Sequence, residues 1–230
     1  MHLLIPAAGM GRRMGSNRNK LLLTLLGQPL IAWTLQAAEA SAEITWIGII
    51  GQESDEPEFQ AIAGKLSISK PVKLIRGGDT RQESVYNGLQ ALPDSADRVL
   101  IHDGARCLVT PDLLDRCATA LGQCVGLIAG VPVKDTIKVV DDSGIVQDTP
   151  ERSRLWAAQT PQGFEVPVLK QCHERGRQNG WQVTDDAALL EKCSLPVRVV
   201  PGEETNLKVT TPGDLAIAEL ILSQRCDLKQ

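Results

Sequence analysis

The sequence predicts a single α/β domain, residues 1–230, with a mostly parallel β-sheet covered by helices on both faces. Short apolar runs that suit strands alternate with amphipathic helical segments through most of the chain, and such βαβ repetition produces parallel strands. The length and the 43% hydrophobic content are sufficient to bury a full core without disulfides or a structural metal. The alternation favours the α/β class, and the length and composition exclude disordered chains, collagen-like fibres and small disulfide scaffolds.

Six apolar runs fit strands of this sheet. They are His2–Pro6, Ile44–Ile50, Val72–Arg76, Arg98–His102, Val125–Val131 and Pro196–Val200. Seven segments fit helices, and capping signals mark the starts of the third and the last. The predicted helices are Pro29–Ala40, Glu56–Leu66, Thr80–Leu92, Pro111–Leu121, about Glu165–Gln178, about Asp185–Cys193 and Pro212–Ser223.

The alternation stops after Val133. Residues Thr136–Thr149 contain two β-prone arms around Asp142-Ser143-Gly144, which predicts a projecting β-hairpin arm. Because an isolated two-stranded hairpin is marginally stable and exposes strand edges, we expect this arm to pack against a second copy in a homodimer. The alternative is a hairpin folded back on its own domain.

Composition excludes several classes of partner. A net charge of −4 and only 3% aromatic residues argue against nucleic-acid binding. No apolar run reaches the length of a membrane span, and the N-terminal segment lacks the basic region of a signal peptide. We therefore expect a cytoplasmic protein. The six cysteines form no CxxC pair, so they predict reduced thiols and no zinc site.

Ligands of open α/β sheets bind beyond the carboxyl ends of the strands. The segments that follow the first, third, fourth and fifth predicted strands are therefore expected to meet at one edge. They are residues 7–20, 77–84, 103–107 and 132–136. Together they hold glycines, cations, a carboxylate and hydroxyls, which indicates a site for a small anionic ligand.

The first of these loops carries the sharpest signal. Small residues allow backbone N–H groups to close on a phosphate. They are Ala7, Ala8, Gly9 and Gly11. Nearby cations suit a triphosphate, and no acidic residue precedes Glu39. These cations are Arg12, Arg13, Arg18 and Lys20. The G-x-G-x-x-x-G spacing matches neither the dinucleotide fingerprint nor a P-loop. A glycine-rich turn with solvated arginines is the structural alternative.

The other loops allow two interpretations each. Gly77-Gly78-Asp79 is either a structural turn or a flat surface for a base or ribose. Asp103 either pairs with Arg106 or holds a ribose or a magnesium-bound water. Thr184-Asp185-Asp186 fits a helix N-cap with acidic residues in the first turn. No Ser-His-Asp or Cys-His arrangement is visible, which fits phosphate transfer, where positioning and charge neutralisation matter most.

The ordered motifs resemble the 2-C-methyl-D-erythritol 4-phosphate cytidylyltransferase family of the non-mevalonate isoprenoid pathway, over nearly the whole length. The motifs are AAGMGRRM (7–14), GGDTRQES (77–84), HDGAR (102–106), VPVKDTIK (131–138), RLWAAQTPQ (154–162), TDDA (184–187) and NLKVTTPGDL (206–215). The resemblance implies a Rossmann-like nucleotidyltransferase fold, a Mg²⁺ requirement and a homodimer. It also implies that CTP reacts with methylerythritol phosphate to give the CDP-linked alcohol and pyrophosphate.

The same resemblance implies roles for individual residues. Arg13 and Lys20 would be catalytic, stabilising charge at the α-phosphate and the leaving pyrophosphate. Residues that would hold CTP are Ala7, Ala8, Gly9, Gly78, Arg81, Ser84 and Asp103, the last near the ribose or, through water, the magnesium. Residues that would place the substrate phosphate are Arg106, Thr136, Arg152, Thr160, Thr184 and Lys208.

The chain departs from the family pattern at two places. Asn19-Lys20-Leu21 stands where Pro-Lys-Gln is usual, and Thr205 stands where an acidic residue is common. The lysine stays in register, whereas a contact to the hydroxyls of the acceptor could differ.

Three other functions share part of this sequence pattern. A cytidylyltransferase for another polyol phosphate, such as ribitol phosphate, would share the motifs. A nicotinamide-dependent oxidoreductase would need the six-residue glycine fingerprint and an acidic end to its second strand, whereas Ile50 leads into Gly51-Gln52. A non-catalytic nucleotide sensor would have no need of Lys20.

Overall fold

A computed structural model describes residues 1–9 and 19–227 of the chain. Strands and helices alternate as predicted, with ends that differ from the predicted ones by a few residues. In chain order they are β1 (His2–Pro6), β2 (Thr24–Leu25), β3 (Gln28–Pro29), α1 (Leu30–Ala40), β4 (Trp46–Gly51), α2 (Glu56–Lys65), β5 (Val72–Arg76), α3 (Arg81–Gln90), β6 (Arg98–Ile101), α4 (Pro111–Ala120), β7 (Gly126–Pro132), β8 (Val139–Val140), β9 (Val146–Asp148), β10 (Trp156–Glu165), α5 (Val166–Gln178), α6 (Ala187–Lys192), β11 (Arg198–Pro201) and α7 (Pro212–Asp227).

The main sheet has seven strands in the order β11-β7-β10-β6-β1-β4-β5. Its neighbouring strands are parallel except at β10, which runs antiparallel to both β6 and β7. The predicted α/β class with a mostly parallel sheet is therefore confirmed. Because β1, β4, β5 and β6 run in one direction, their carboxyl ends meet at one edge.

Two large clusters of buried side chains form the main core, one on each face of the sheet, and a smaller third cluster packs against α7. Leu3 and Ile5 of β1 pack in the same cluster as Leu35 of α1, whereas Leu4 packs in the opposite cluster with Leu89 of α3. All five side chains are fully buried. Since successive strand residues point to opposite faces, a strand covered on both sides must be apolar throughout. This explains the uninterrupted apolar run at the N-terminus.

Strand β10 is the main feature that the sequence prediction missed. The segment Trp156–Glu165 lies between β6 and β7 in the sheet, and no strand was predicted there. Its ladder with β7 shifts register between Ala158 and Gln162. Pro161 and Gly163 also interrupt the apolar alternation, and both residues are unusual in a strand interior. A strand with these features has no clear period-two pattern, although it is mostly buried.

The predicted hairpin is present but shorter than Thr136–Thr149. Val139–Val140 pairs with Val146–Asp148 in a separate two-stranded sheet. Asp141 closes the turn by accepting hydrogen bonds from the backbone amides of Ser143 and Ile145. Gly144 takes a φ of +82°, a left-handed conformation that glycine adopts without strain. The position of the turn and the role of Gly144 are as predicted, whereas the carboxylate that closes the turn belongs to Asp141, one residue before the predicted turn residues.

Within residues 1–9 and 19–227, no helix combines the length and the apolar composition that crossing a membrane requires.

Candidate functional site

A cavity of about 420 Å³ opens at the edge of the sheet where β1, β5 and β6 end. We call it the sheet-edge cavity. Nine residues predicted for the site line it, and they come from four separate segments of the chain. They are Ala7, Ala8, Gly9, Lys20, Gly78, Arg81, Ser84, Asp103 and Lys208. Tertiary structure thus joins residues that are remote in sequence.

The first loop enters the cavity directly from β1. The amide of Ala7 donates to the carbonyl of Ile50 at 2.6 Å, which continues the pairing of β1 with β4 by one residue. Gly9 has open space where a Cβ would stand. The backbone at Ala7–Gly9 therefore faces the cavity with little side-chain bulk, as a phosphate-binding backbone requires.

Lys20 begins a short 3-10 turn, Lys20–Leu22, at the other end of this loop. Its Nζ lies 3.4 Å from the carbonyl of Val209, so the ammonium group reaches the segment that also carries Lys208. Arg13, the other residue predicted to be catalytic, lies outside the described residues, as do Arg12 and Arg18.

The Gly77-Gly78 turn serves structure and site together. The amide of Gly78 donates to Oγ of Ser84 at 3.0 Å, and Thr80 and Glu83 form the predicted capping box of α3. A Cβ on Gly78 would come within 2.5 Å of the Cβ of Glu83. Glycine is therefore required for the turn to close on the helix, and the same close approach exposes its backbone to the cavity.

Asp103 is the electrostatic centre of the cavity. Its Oδ2 lies 2.6 Å from Nζ of Lys208, and its Oδ1 lies 3.5 Å from Nε of Arg81. Burial by itself would raise the pKa of this carboxyl group, but the two cations outweigh burial and lower the pKa to about 2. Asp103 is therefore ionised at any physiological pH.

Arg81 is held from two sides. Its Nη2 lies 2.8 Å from Oδ2 of Asp186, a fully buried carboxylate at the start of α6, while its Nε faces Asp103. Burial raises the pKa of Asp186, and the positive charge of Arg81 opposes that rise. The sequence interpretation of residues 184–186 as a cap missed this contact. Asp185 does cap the helix, accepting from the amide of Ala188 at 3.1 Å.

A family model for 2-C-methyl-D-erythritol 4-phosphate cytidylyltransferase matches residues 1–224. The chain belongs to this family. Its reaction is cytidylyl transfer from CTP to 2-C-methyl-D-erythritol 4-phosphate, which gives the CDP-linked alcohol and pyrophosphate in isoprenoid precursor synthesis. The expected family and reaction class are therefore confirmed. The oxidoreductase and the non-catalytic sensor are excluded as descriptions of the chain.

Relatives and solved structures agree with this assignment. The cytidylyltransferase of Crocosphaera subtropica is 73% identical over 225 residues, covering 98% of this chain and 99% of the relative. That of Nostoc punctiforme is 70% identical over the same shares of both chains. The crystal structure of 4-diphosphocytidyl-2C-methyl-D-erythritol synthase from Anaerococcus prevotii superposes with a TM-score of 0.87 at 30% identity, covering 96% of this chain and 97% of that one.

Two residues that the family resemblance assigned to the acceptor phosphate lie behind the sheet-edge cavity. Oγ1 of Thr160, on β10, accepts from the amide of Asp103 at 3.0 Å and bonds to Nδ1 of His102 at 3.1 Å. Nη1 of Arg106 donates to the carbonyl of Asn206 at 2.8 Å. Neither residue lines the cavity. Asp103 pairs with Arg81 and Lys208, so the expected alternative of an ion pair with Arg106 is wrong.

His102 is a residue whose role the sequence analysis overlooked. It is fully buried, and its Nε2 bonds to the carbonyl of Arg106 at 3.1 Å. A carbonyl can only accept, so Nε2 carries the proton and Nδ1 accepts from Thr160. Burial lowers the pKa of His102 to about 4, so the ring is neutral. The position of His102 within HDGAR, next to Asp103, was the available signal.

The remaining acceptor candidates lie outside the cavity. Thr136 is exposed at the base of the hairpin, and Nη1 of Arg152 donates to the carbonyl of Lys134 at 2.7 Å beside it. Thr184 is exposed before α6. The structure therefore groups Arg152 with the base of the hairpin arm and Lys208 with the residues that line the sheet-edge cavity.

Proposed function

We propose that the sheet-edge cavity binds CTP within one catalytic domain, residues 1–230. The proposal rests on the convergence of nine predicted site residues on a single cavity of about 420 Å³. The small residues Ala7–Gly9 and Gly78 offer backbone to phosphate, ribose and base. Arg81, Ser84 and Asp103 supply directional polar contacts, and Asp103 is placed to accept from a ribose hydroxyl.

Lys20 and Arg13 then stabilise the negative charge that develops in the transition state of cytidylyl transfer. The acceptor's phosphate is already an anion, so it attacks the α-phosphate of CTP without a general base. Negative charge accumulates on the α-phosphate oxygens and the departing pyrophosphate. A preorganised ammonium group in a partly buried position stabilises this charge, and part-buried Lys20 provides one.

Magnesium is the metal that fits this donor set. Mg²⁺ prefers oxygen ligands and usually binds substrate phosphates together with one or two carboxylates, keeping several waters. Within the described residues no group of three or more His, Cys, Asp or Glu side chains could hold a metal ion by itself. Asp103, whose low pKa keeps it ionised, would hold a phosphate-bound Mg²⁺ through water. The ion supplies neutralisation of the triphosphate charge when bound.

The acceptor phosphate is assigned to Lys208, Thr136, Arg152 and Thr184. Arg106 and Thr160 contribute by holding the Lys208 segment and Asp103. Thr136 and Arg152 lie at the base of an arm with exposed apolar side chains; Ile145 is 62% and Val146 is 53% exposed. We assign this surface to a homodimer interface, which would bring the arm's base to an acceptor site. A cytoplasmic location would keep buried Cys107, Cys117 and Cys172 reduced.

Substrate selection tests the cavity assignment. Pyrophosphate release is measured for CTP, UTP, ATP and GTP, each with 2-C-methyl-D-erythritol 4-phosphate and with ribitol phosphate. We expect kcat/KM to be highest for CTP with methylerythritol phosphate, by at least about tenfold over each other pair. Equal use of a purine nucleotide would contradict the CTP site, and equal use of ribitol phosphate would contradict the acceptor assignment.

A further inference from the structure

Asn19, the residue before Lys20, has 3% of its surface exposed and makes an unusual set of contacts. Its Nδ2 donates to the carbonyl of Ala7 at 2.5 Å and to Oδ2 of Asp55 at 2.7 Å. Its Oδ1 accepts from the amide of Leu21 at 3.0 Å. One side chain thus joins the end of β1, the segment after β4 and the turn that begins at Lys20.

The partners of Asn19 fix the orientation of its amide. The carbonyl of Ala7 and the carboxylate of Asp55 can only accept, and the amide of Leu21 can only donate. Both N–H groups of Nδ2 are used, and the bond to Asp55 is charge-assisted. Since the bonds to the Ala7 carbonyl and the Leu21 amide are buried, a substitution that removes the amide of Asn19 leaves buried polar atoms unpaired.

A second contact immobilises the turn on the other side of Lys20. Leu21 is 2% exposed, and a Cβ on Gly104 would lie 2.6 Å from its Cδ1, so the leucine side chain fills the space above that glycine. The backbone of Lys20 is therefore held between a hydrogen-bonded neighbour and a packed one. The long lysine side chain starts from a fixed point at the wall of the sheet-edge cavity.

We propose that Asn19 is a positioning residue that sets Lys20 in the cavity by bonding Ala7, Asp55 and Leu21 at once. This inference rests on the proposed catalytic role of Lys20. A displacement of about 1 Å in a catalytic group can cost about 100-fold in rate. Because Asn19 acts through the placement of Lys20, it affects the chemical step more than the binding of CTP.

The test compares Asn19→Ala, Asn19→Asp, Lys20→Ala and the double variant Asn19→Ala/Lys20→Ala. Asn19→Asp keeps the shape and the acceptor for Leu21, but it removes both N–H donors and puts a second carboxylate beside Asp55. Asn179→Ala is the matched control, because Asn179 also bonds a backbone carbonyl but lies exposed after α5. Steady-state pyrophosphate release gives kcat and KM, and thermal unfolding confirms that each variant is folded.

We expect both Asn19 variants to lower kcat by about 10- to 100-fold, with KM for CTP changed less than about threefold. Asn179→Ala should change neither. In the Lys20→Ala background, Asn19→Ala should lower kcat by no more than about twofold, because the group it positions is gone.

Three results distinguish the inference from the function on which it rests. If Lys20→Ala leaves kcat unchanged, the proposed catalytic role of Lys20 is wrong. If Lys20→Ala lowers kcat but Asn19→Ala does not, or if the two effects multiply in the double variant, the positioning role is wrong and the function stands. If the Asn19 variants do not fold, Asp55→Ala decides, since it removes one partner at a half-buried site; an unchanged kcat would overturn the inference.

Discussion

Lys208 and Asp103 form an ion pair with 2.6 Å between Nζ and Oδ2, although the motifs that contain them are far apart in the sequence. The pair places a cation assigned to the acceptor phosphate against a carboxylate assigned to CTP. On these proposed assignments, the two substrate subsites would share a wall. Asp103 also faces Arg81, so a ligand at either proposed subsite would change the electrostatic environment of the other.

Removal of the Lys20 ammonium tests the chemical step. Lys20→Ala should lower kcat by about 100- to 1,000-fold, as expected for loss of one preorganised group that acts mainly in the transition state. Steady-state pyrophosphate release with CTP and methylerythritol phosphate measures kcat and KM. A raised KM for CTP with unchanged kcat would show that Lys20 only binds substrate.

Arg152 tests the acceptor assignment. Arg152→Ala should raise KM for methylerythritol phosphate by about tenfold, through loss of one charge-assisted contact, and leave the Kd for CTP unchanged. Calorimetry in the presence of Mg²⁺ measures the Kd for CTP, and steady-state kinetics give the KM for methylerythritol phosphate. Arg154→Ala, an exposed arginine in the same turn, is the control and should change neither constant. Lys208→Ala should affect both substrates, because Lys208 pairs with Asp103. Weaker CTP binding by Arg152→Ala would contradict the assignment of Arg152 to the acceptor alone.

The hairpin arm is predicted to form the dimer interface. Replacing Lys138–Gln147 by a short Gly/Ser turn removes the exposed Val139, Val140, Ile145 and Val146, and should give a folded monomer with little turnover. Light scattering measures the mass, and pyrophosphate release measures the activity. Leu220→Ser, at an exposed apolar site on α7, is the control and should stay dimeric. A variant without the arm that remains dimeric, or a fully active monomer, would refute the prediction.

His173 should make the folded state sensitive to mild acid. It is 1% exposed, and burial, with the charge of Arg81, lowers its pKa from 6.5 to about 4. Well above pH 6.5, His173 is neutral in both the folded and the unfolded protein. Between pH 6.5 and 4 the unfolded chain binds the proton and the native protein does not. The free energy of unfolding should therefore fall by up to about 3 kcal/mol across this window.

The check on this prediction is urea unfolding of the wild type and His173→Asn at pH 7, 6 and 5. The asparagine cannot titrate, so the variant should lose less stability on acidification. Buried His102, whose pKa is also about 4, should account for part of the slope that remains. Parallel stability curves for the two proteins would show that His173 does not contribute.

Prediction from sequence succeeded where the signal is local. The run His2–Pro6 matches β1 because a strand buried on both faces must be apolar at every position. The capping box at Thr80–Glu83 fixed the start of α3 because both partners lie within one turn. Asp142-Ser143-Gly144 marked the hairpin because its turn is closed locally, by Asp141 directly before these residues and by the left-handed backbone of Gly144.

The same local signals failed at β10. Its position between β6 and β7 depends on pairing with strands far away in sequence, and its register shift and Pro161 obscure the alternation. Burial there is imposed by the partners on either side of the strand. The local sequence of Trp156–Glu165 does not indicate that β6 and β7 pair with this segment.

The sequence by itself determined the α/β class, the loops that face the sheet edge and the residue types available for phosphate chemistry. Only the tertiary structure decided which of them meet. It paired Lys208 with Asp103, placed Thr160 and His102 behind Asp103, and connected Asn19 to Asp55. The physical reason is that periodicity and capping arise from interactions within a few residues, whereas a site is assembled by packing elements that are remote in sequence. These contacts form only when the complete fold brings the elements together.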